Sequence, residues 1–163
     1  TIHADQSGLK SNRPQLRRFL CRMHLRTLAT AEEMLPRLAL IQQLTPSLTR
    51  AEYRSLLEAM IPHRYAMLAA FEGDACLGLS GYWIGHKLYC GRYLEIDNFV
   101  VDAAHRSRGI GQSLVDELLR IARREGCVHV MLDAYLENTA GHRFYERHGF
   151  VKRGFDQPYG APP

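Results

Sequence analysis

Alternating and helically spaced apolar residues divide the chain into a series of short elements. Strands are predicted where aliphatic and aromatic residues alternate with polar ones or form short runs, and helices where apolar residues recur every three or four positions. Two Thr-x-x-Glu capping boxes mark the starts of the first two helices. The predicted elements are a strand over 20–28, helices over 31–44 and 49–61, strands over 64–72, 75–84 and 93–102, a helix over 112–124, a strand over 128–135, a helix over 138–147 and a strand over 150–155.

This order predicts one mixed α/β domain of the α+β type, with about six or seven strands in a central sheet and about four helices around it. Gly73 and Asp74 supply turn residues between two strands, which we expect to pair as an antiparallel hairpin. The sheet is expected to be largely antiparallel, with parallel pairing beside the central helix. Residues 1–19 are predicted to be an irregular extension, 20–156 the domain and 157–163 a tail.

Residues 93–124 join a strand to an amphipathic helix through a short basic turn. Alternate side chains of the strand are predicted to share one face, namely Tyr93, Glu95, Asp97, Phe99 and Val101. In the helix, one apolar stripe is formed by Ile110, Leu114, Leu118 and Ile121. Gly126 stands where a helix C′ residue is expected, so the helix should end there.

The turn contains Arg106, Arg108, Gly109 and Gly111. The N–H groups in the first turn of a helix are unpaired, and the helix dipole adds partial positive charge there, so an anion is favoured. Glycines let a phosphate approach the backbone closely, and arginines add charge-assisted hydrogen bonds. The spacing is neither that of a P-loop nor G-x-G-x-x-G. From these residues alone, a diphosphate site and a solvated turn are equal alternatives.

The composition of the chain limits which partners and which cellular location are expected. The 163 residues include 46% hydrophobic and 23% charged residues, which is typical of one globular domain, and the net charge of +4 favours anionic partners. The basic residues are scattered without a nucleic-acid signature, so no nucleic-acid partner is expected. The four cysteines lack zinc-site spacing, so no metal is expected. Without a signal peptide or a long apolar run, we expect no membrane partner and a cytoplasmic location.

Two motifs together identify a family. One is Arg106-x-x-Gly109-x-Gly111, and the other begins at Asn138 and continues as Phe144-Tyr145-Glu-Arg-His-Gly-Phe150. The chain resembles the GNAT superfamily of N-acetyltransferases, whose acetyl-CoA motif is R/Q-x-x-G-x-G/A and whose later segment is N…FYE-x-x-GF. The resemblance extends over about residues 20–155, because the order of elements also agrees. It implies direct acetyl transfer from acetyl-CoA to a primary amine, and homodimers are common in the family.

The resemblance implies a coenzyme site made mostly of backbone. The amides from Arg108 to Ser113 and the Arg106 side chain would hold the pyrophosphate, while the central strand and Asn138 would contact the pantetheine arm. The implied cofactor-binding residues are Phe99, Val100, Val101, Arg106, Arg108, Gly109, Ile110, Gly111, Gln112, Ser113, Asn138 and Tyr145.

The implied catalytic residues are a tyrosine and two carboxylates. Tyr145 corresponds to a tyrosine that often protonates the departing thiolate in this family. An amine with a pKa near about 10.4 must lose a proton before it attacks a thioester, and a carboxylate can accept that proton. Glu95, Asp97 and a water chain without a dedicated base are the alternative proton acceptors. Asp97 is also interpreted as a hydrogen-bonding residue of the fold.

The acceptor has no signature in the sequence. A small amine is favoured, a protein amine is the alternative within the family, and an acyl-CoA-binding sensor without turnover is an alternative of another class. Specificity is expected to depend on residues 31–61, residues 87–92 and the C-terminal end. Tyr82, Trp83 and Tyr89 are interpreted either as core residues or as the lining of an acceptor pocket.

Overall fold

The computed structural model describes residues 22–134 and 138–151. Within them, five strands form one sheet in the order β1-β2-β3-β4-β5; β1 to β4 pair antiparallel and β5 lies parallel to β4. The strands are β1 Met23–Leu28, β2 Tyr65–Glu72, β3 Ala75–Lys87, β4 Gly91–Val101 and β5 His129–Leu132. The mixed α/β class and the parallel pair beside the central helix are confirmed.

The helices are α1 Ala31–Met34, α2 Leu38–Ile41, α3 Arg50–Met60, α4 Ile110–Arg124 and α5 Thr139–Arg147. Both predicted capping boxes are present. The single helix predicted over 31–44 is divided, because a 3₁₀ turn over Leu35–Arg37 separates α1 from α2. Pro36 stands at the start of this turn, where its missing N–H and fixed φ interrupt the α-helical hydrogen bonding.

The ends of the described ranges limit two comparisons with the sequence. Phe150 and Val151 do not lie in a strand, and the rest of the strand predicted over 150–155 is outside the described residues. The predicted boundaries at residues 19, 156 and 157 also fall outside them.

The described cysteines Cys76, Cys90 and Cys127 are free thiols. None of the described helices is long and apolar enough to cross a bilayer.

Helices cover both faces of the sheet. The face covered by α1–α3, here the α3 face, carries a core cluster that includes Leu57, Met67 and Leu79. The opposite α4 face carries a second cluster, which includes Leu94 and Leu118. Burying these aliphatic side chains contributes about 1.5–3 kcal/mol for each, so both helical layers are held against the sheet mainly by apolar contact.

A β-bulge interrupts β4 near its C-terminal end. Leu79 on β3 is paired with Val100, but Gly81, two residues later, is paired with Asp97. Two residues of β4, Asn98 and Phe99, therefore occupy the space opposite one residue of β3. Asn98 adopts a left-handed φ of 48°, which is the local distortion that accommodates the extra residue.

The bulge inverts the alternation of side chains in β4. Val100 belongs to the α3-face cluster, whereas Phe99 and Val101 pack against the α4-face cluster. The prediction that Phe99 and Val101 share a face with Tyr93, Glu95 and Asp97 is therefore wrong. Because side chains alternate with a period of two, one extra residue moves all the side chains that follow it to the opposite face. The sequence of β4 looks like an uninterrupted strand, so it does not reveal the extra residue.

Candidate functional site

The two parallel strands stop pairing just before the bulge, which leaves one edge of β4 open in the described part of the chain. Pairing between β4 and β5 runs from Tyr93 opposite His129 to Ile96 opposite Leu132, and it continues no further within the described ranges. The outward backbone groups of residues 99–101 therefore have no strand partner among the described residues. An extended ligand with amide groups can complete the ladder at such an edge.

The N-terminus of α4 follows this edge and exposes backbone donors. Gly109 is the N-cap residue, with a left-handed φ of 80° and no side-chain cap, and the first turn carries no acidic residue. The backbone N–H of Ser113 donates to the carbonyl oxygen of Gly109 at 3.0 Å. The N–H groups of the residues between them precede the first intrahelical hydrogen bond and are available to an anion. The helix begins at Ile110 rather than at the predicted Gln112, because Gly109 supplies the conformation that starts it.

The two arginines of the turn are exposed side chains at this helix end. The Arg106 Nε donates to the carbonyl oxygen of Val101 at 3.3 Å, which ties the turn to the end of β4. Ser107 has a left-handed φ of 61°, so the chain reverses sharply between Arg106 and Arg108. The open edge and the helix N-terminus are consequently adjacent along the chain.

Gly111, in the first turn of α4, is closely packed against α5. A Cβ at this position would lie 3.2 Å from Cζ of Phe144 and 3.7 Å from Cε1 of Phe99. The absence of a side chain at Gly111 thus lets α5 approach the start of α4 closely. The sequence suggested phosphate approach as the reason for this glycine, and contact with Phe144 is a second, structural reason.

Tyr145 lies in a cluster of aromatic rings between β4 and α5. Its ring centroid is 5.9 Å from that of Phe99, 5.2 Å from that of Phe144 and 5.7 Å from that of Phe150, each in an edge-on arrangement. Burial raises the pKa of Tyr145 to about 12. The hydroxyl is therefore neutral at pH 7, so it carries a proton and can donate a hydrogen bond.

Two polar contacts position the helix that carries Tyr145. Asn138 caps α5, since its Oδ1 accepts a hydrogen bond from the N–H of Gly141 at 2.9 Å. His148 joins α5 to α4: its Nε2 lies 2.7 Å from Oε1 of Gln112 and its Nδ1 lies 2.7 Å from the carbonyl oxygen of Phe144. The sequence offered no signal for the His148–Gln112 contact, because the two residues are 36 positions apart.

The two carboxylates lie on the α3 face but have different surroundings. Oδ2 of Asp97 accepts a hydrogen bond from Nε1 of Trp83 at 3.2 Å. Glu95 is paired across the strands with Trp83 and stands close to Lys87. Desolvation opposes the protonated form of Lys87, but Tyr89 and then Glu95 raise its pKa above the usual value. Asp97 thus makes a hydrogen bond of the kind that one of its two interpretations predicts, and its catalytic role stays a prediction.

The bulge places Tyr145, the candidate acid, and the two candidate bases on opposite sides of β4. Tyr145 contacts Phe99 from the α4 side, whereas Glu95 and Asp97 face the α3 side. A thioester at the open edge would thus have a proton donor on one side and a proton acceptor on the other. Of the aromatic residues considered from the sequence, Tyr82 is buried in the α4-face core, Tyr89 is exposed, and only Trp83 lies on the α3 face.

The Acetyltransferase (GNAT) family model matches residues 31–150. This chain belongs to the GNAT family. It is 33% identical over 124 residues to glucosamine 6-phosphate N-acetyltransferase 1 of Oryza sativa subsp. japonica, covering 71% of this chain and 73% of that protein. It is 30% identical over 131 residues to the uncharacterized N-acetyltransferase YhdJ of Bacillus subtilis (strain 168), covering 79% and 92%.

Among solved structures, the putative acetyltransferase from Agrobacterium tumefaciens str. C58 superposes with a TM-score of 0.71 at 32% identity, covering 83% of this chain and 99% of that one. The GNAT assignment, the fold class and the enzyme class predicted from the sequence are confirmed. The protein is an acetyl-CoA-dependent N-acetyltransferase.

Proposed function

We propose that this GNAT enzyme moves the acetyl group of acetyl-CoA directly to the primary amine of a small molecule at the open edge of β4. The observation that supports this best is the arrangement at that edge, where three features lie together: strand backbone without a partner among residues 22–134 and 138–151, a helix N-terminus without a side-chain cap, and the protonated Tyr145. Strand backbone can pair with the amides of the pantetheine arm, and the helix N-terminus can hold the pyrophosphate.

In this proposal the coenzyme is held mostly by main chain. The backbone from Arg108 to Ser113 and the Arg106 side chain bind the pyrophosphate, and the backbone of residues 99–101 pairs with the pantetheine arm. Asn138, which caps α5 beside Tyr145, contacts the same arm. Because these contacts are local to one turn and one edge, we expect them to orient the thioester toward the gap between Phe99 and Tyr145.

Three groups of the chain then act on protons and charge. Acetyl-CoA supplies an activated acetyl thioester when it is bound. Glu95, directly or through a water, accepts the proton that the amine loses, and the neutral Tyr145 hydroxyl donates one to the departing sulfur. Outward N–H groups of β4 stabilise the negative charge that develops on the thioester oxygen. Direct transfer of this kind requires no covalent enzyme intermediate and no metal.

The acceptor is proposed to be a small molecule rather than a protein amine. The rice relative is named for glucosamine 6-phosphate, so this amine is one candidate for the present chain. The α3 face also favours a compact acceptor, since α1–α3 cover part of the sheet face that carries Glu95.

A panel of amines tests the proposal. Purified protein and acetyl-CoA are incubated with glucosamine 6-phosphate, simple alkyl and arylalkyl amines, and a lysine peptide, and both thiol release and the acetylated product are measured. We expect thiol release that depends on a small amine, with product mass increased by one acetyl group. If only the lysine peptide is acetylated, the small-molecule assignment is wrong. If none of the amines in the panel causes thiol release, the proposed function is wrong.

A further inference from the structure

His148 joins the C-terminal end of α5 to the first turn of α4. Its Nδ1 lies 2.7 Å from the carbonyl oxygen of Phe144, and its Nε2 lies 2.7 Å from Oε1 of Gln112. A backbone carbonyl has no proton to give, so Nδ1 must be the donor to Phe144. The direction of the hydrogen bond between Nε2 and Gln112 then decides whether the ring is neutral or charged.

Asp116 fixes the orientation of the Gln112 amide. Nε2 of Gln112 donates to Oδ1 of Asp116 at 3.0 Å, one turn further along α4. An ionised carboxylate only accepts hydrogen bonds, so the amide turns its NH₂ group toward Asp116 and its oxygen toward His148. Nε2 of His148 therefore faces an acceptor as well. Both ring nitrogens of a histidine donate only in the imidazolium form, which carries a positive charge.

Two further features of α5 favour the charged ring. His148 is the C-cap residue of this helix, where the helix dipole and the last carbonyl groups attract a cation. Its ring centroid lies 4.4 Å from that of Phe144, close enough for the aromatic ring to attract a positive charge. The two hydrogen bonds, the helix end and the Phe144 ring thus all favour the imidazolium form.

Removal of the proton breaks one link in this chain of hydrogen bonds. In a neutral ring that still donates to Phe144, Nε2 is an acceptor and faces the oxygen of Gln112. If the amide rotates to donate to His148, its oxygen meets the carboxylate of Asp116, so the repulsion is moved rather than removed. The chain is therefore complete on the acidic side of the range in which histidine titrates, and it is broken on the alkaline side.

Other charged groups near this contact act on the ring less directly. Glu146 and Arg147 belong to the last turn of α5 and have opposite signs, while Arg108 precedes α4 and opposes a further positive charge. All three side chains are exposed, so water and salt weaken their effect. Asp116 reaches His148 through a hydrogen-bonded partner, and its influence depends on geometry rather than on charge alone.

We infer that His148, in its imidazolium form, is a positioning residue for acetyl transfer. It acts through Phe144 and Gln112, and it holds α5, which carries Tyr145, against the first turn of α4. Its charge also lies beside the turn that is proposed to bind the pyrophosphate, so protonation of His148 and binding of the coenzyme should favour each other. The effect on the coenzyme rests on the proposed function, whereas the charged contact in the free protein does not.

Chemical denaturation of the free full chain tests the contact at about pH 6 and about pH 8, on the two sides of the histidine titration. His148→Gln should reduce the folding equilibrium constant by about 2- to 12-fold more at the lower pH than at the higher one, the value of one hydrogen bond. The matched control His63→Gln alters an exposed histidine and should show no such difference.

Asp116→Asn tests the orientation of Gln112 while keeping His148. An asparagine can donate as well as accept, so the Gln112 amide can rotate without repulsion and can donate to a neutral ring. We therefore expect that replacing His148 in the Asp116→Asn background has nearly the same effect at both pH values. A residue that only filled space would show no pH dependence in either background.

Titration with CoA at the same two pH values tests the effect on the coenzyme. Wild type and His148→Gln are compared at each pH, so the ionisation of the phosphates of CoA itself cancels. We expect the wild type to bind CoA about 2- to 5-fold more tightly than the variant at the lower pH, the effect of one nearby charge, and the difference to shrink at the higher pH.

A loss of stability in His148→Gln that is equal at both pH values would overturn the inference, as would a pH dependence that Asp116→Asn leaves unchanged. If stability responds as expected but the difference in CoA affinity is the same at both pH values, the link to the coenzyme is wrong and the proposed function stands. If CoA binds at neither pH, the proposed function itself is wrong, and the denaturation experiment still decides the charged contact.

Discussion

Tyr145 combines a half-buried ring with a hydroxyl that stays protonated, so at the scale of single residues it is the most informative position. Tyr145→Phe is expected to lower kcat by roughly 10²- to 10⁴-fold, the usual contribution of a positioned acid, because the sulfur then leaves without a proton donor. CoA affinity should be unchanged, since the ring contacts with Phe99 and Phe144 remain. Steady-state thiol release and a CoA titration measure the two effects.

Tyr89→Phe is the matched control, because Tyr89 is 80% exposed in the turn before β4. Removing a tyrosine hydroxyl at this exposed position should leave both kcat and CoA affinity unaltered. An unchanged kcat in Tyr145→Phe would show that solvent protonates the leaving group and that Tyr145 only packs.

Glu95 and Asp97 are expected to respond differently to neutralisation. Glu95→Gln should reduce kcat/KM and remove the acidic limb of its pH profile, because the proton acceptor is lost. Asp97→Asn should keep the shape of the profile and change the fluorescence of Trp83, whose Nε1 donates to Asp97. A pH profile unaltered by either variant would instead favour a water chain without a dedicated base.

Sequence motifs were sufficient to nominate the site residues but not their partners. Asn138 and Tyr145 were nominated by the resemblance to the GNAT motifs, whereas the residues around Gly109 by themselves left a diphosphate site and a solvated turn as alternatives. The hydrogen bond between Trp83 and Asp97 joins residues 14 positions apart, so it depends on the register of the β3–β4 pair. Long-range contacts of this kind become visible only when strands are paired and helices are placed.

At the scale of elements, local sequence signals predicted where helices begin and end better than they predicted bulges and helix interruptions. Both capping boxes were recognised because their side chains act within one turn. The β4 bulge was missed because residues 93–101 alternate as an uninterrupted strand does, and its only local sign is the left-handed Asn98. The helix predicted over 31–44 did not include the interruption at Pro36, where the 3₁₀ turn separates α1 from α2.

The contact between α4 and α5 gives a prediction at this scale. Gly111→Ala is expected to lower the free energy of unfolding by about 1 kcal/mol, because overpacking of the new Cβ against Phe144 (about 1–3 kcal/mol) exceeds the gain in helix propensity (about 1 kcal/mol). Chemical denaturation measures the loss, and adding Phe144→Leu should recover part of it through a coupling between the two sites. Wild-type stability in Gly111→Ala would show that α5 adjusts freely and that the close approach is not needed.

At the scale of the whole molecule, the order of elements and the mixed sheet followed from the sequence. Hydrophobic periodicity determines which segments form strands or helices, and the helix between β4 and β5 favours their parallel pairing. The separation of β4 from β5 did not follow from any pattern, because it depends on where two strands distant in sequence stop pairing. Homodimerisation stays a prediction, which sedimentation would test.

The central claim is that acetyl-CoA lies along the open edge of β4 and at the N-terminus of α4. Backbone ¹H–¹⁵N spectra with and without acetyl-CoA test it most directly, with ATP as a control for nonspecific phosphate binding. We predict that acetyl-CoA shifts the amide signals of Phe99–Val101 and Arg108–Ser113 most strongly, and that ATP fails to reproduce the shifts in β4. Saturating acetyl-CoA that leaves both segments unchanged, or shifts signals only elsewhere, would contradict the account.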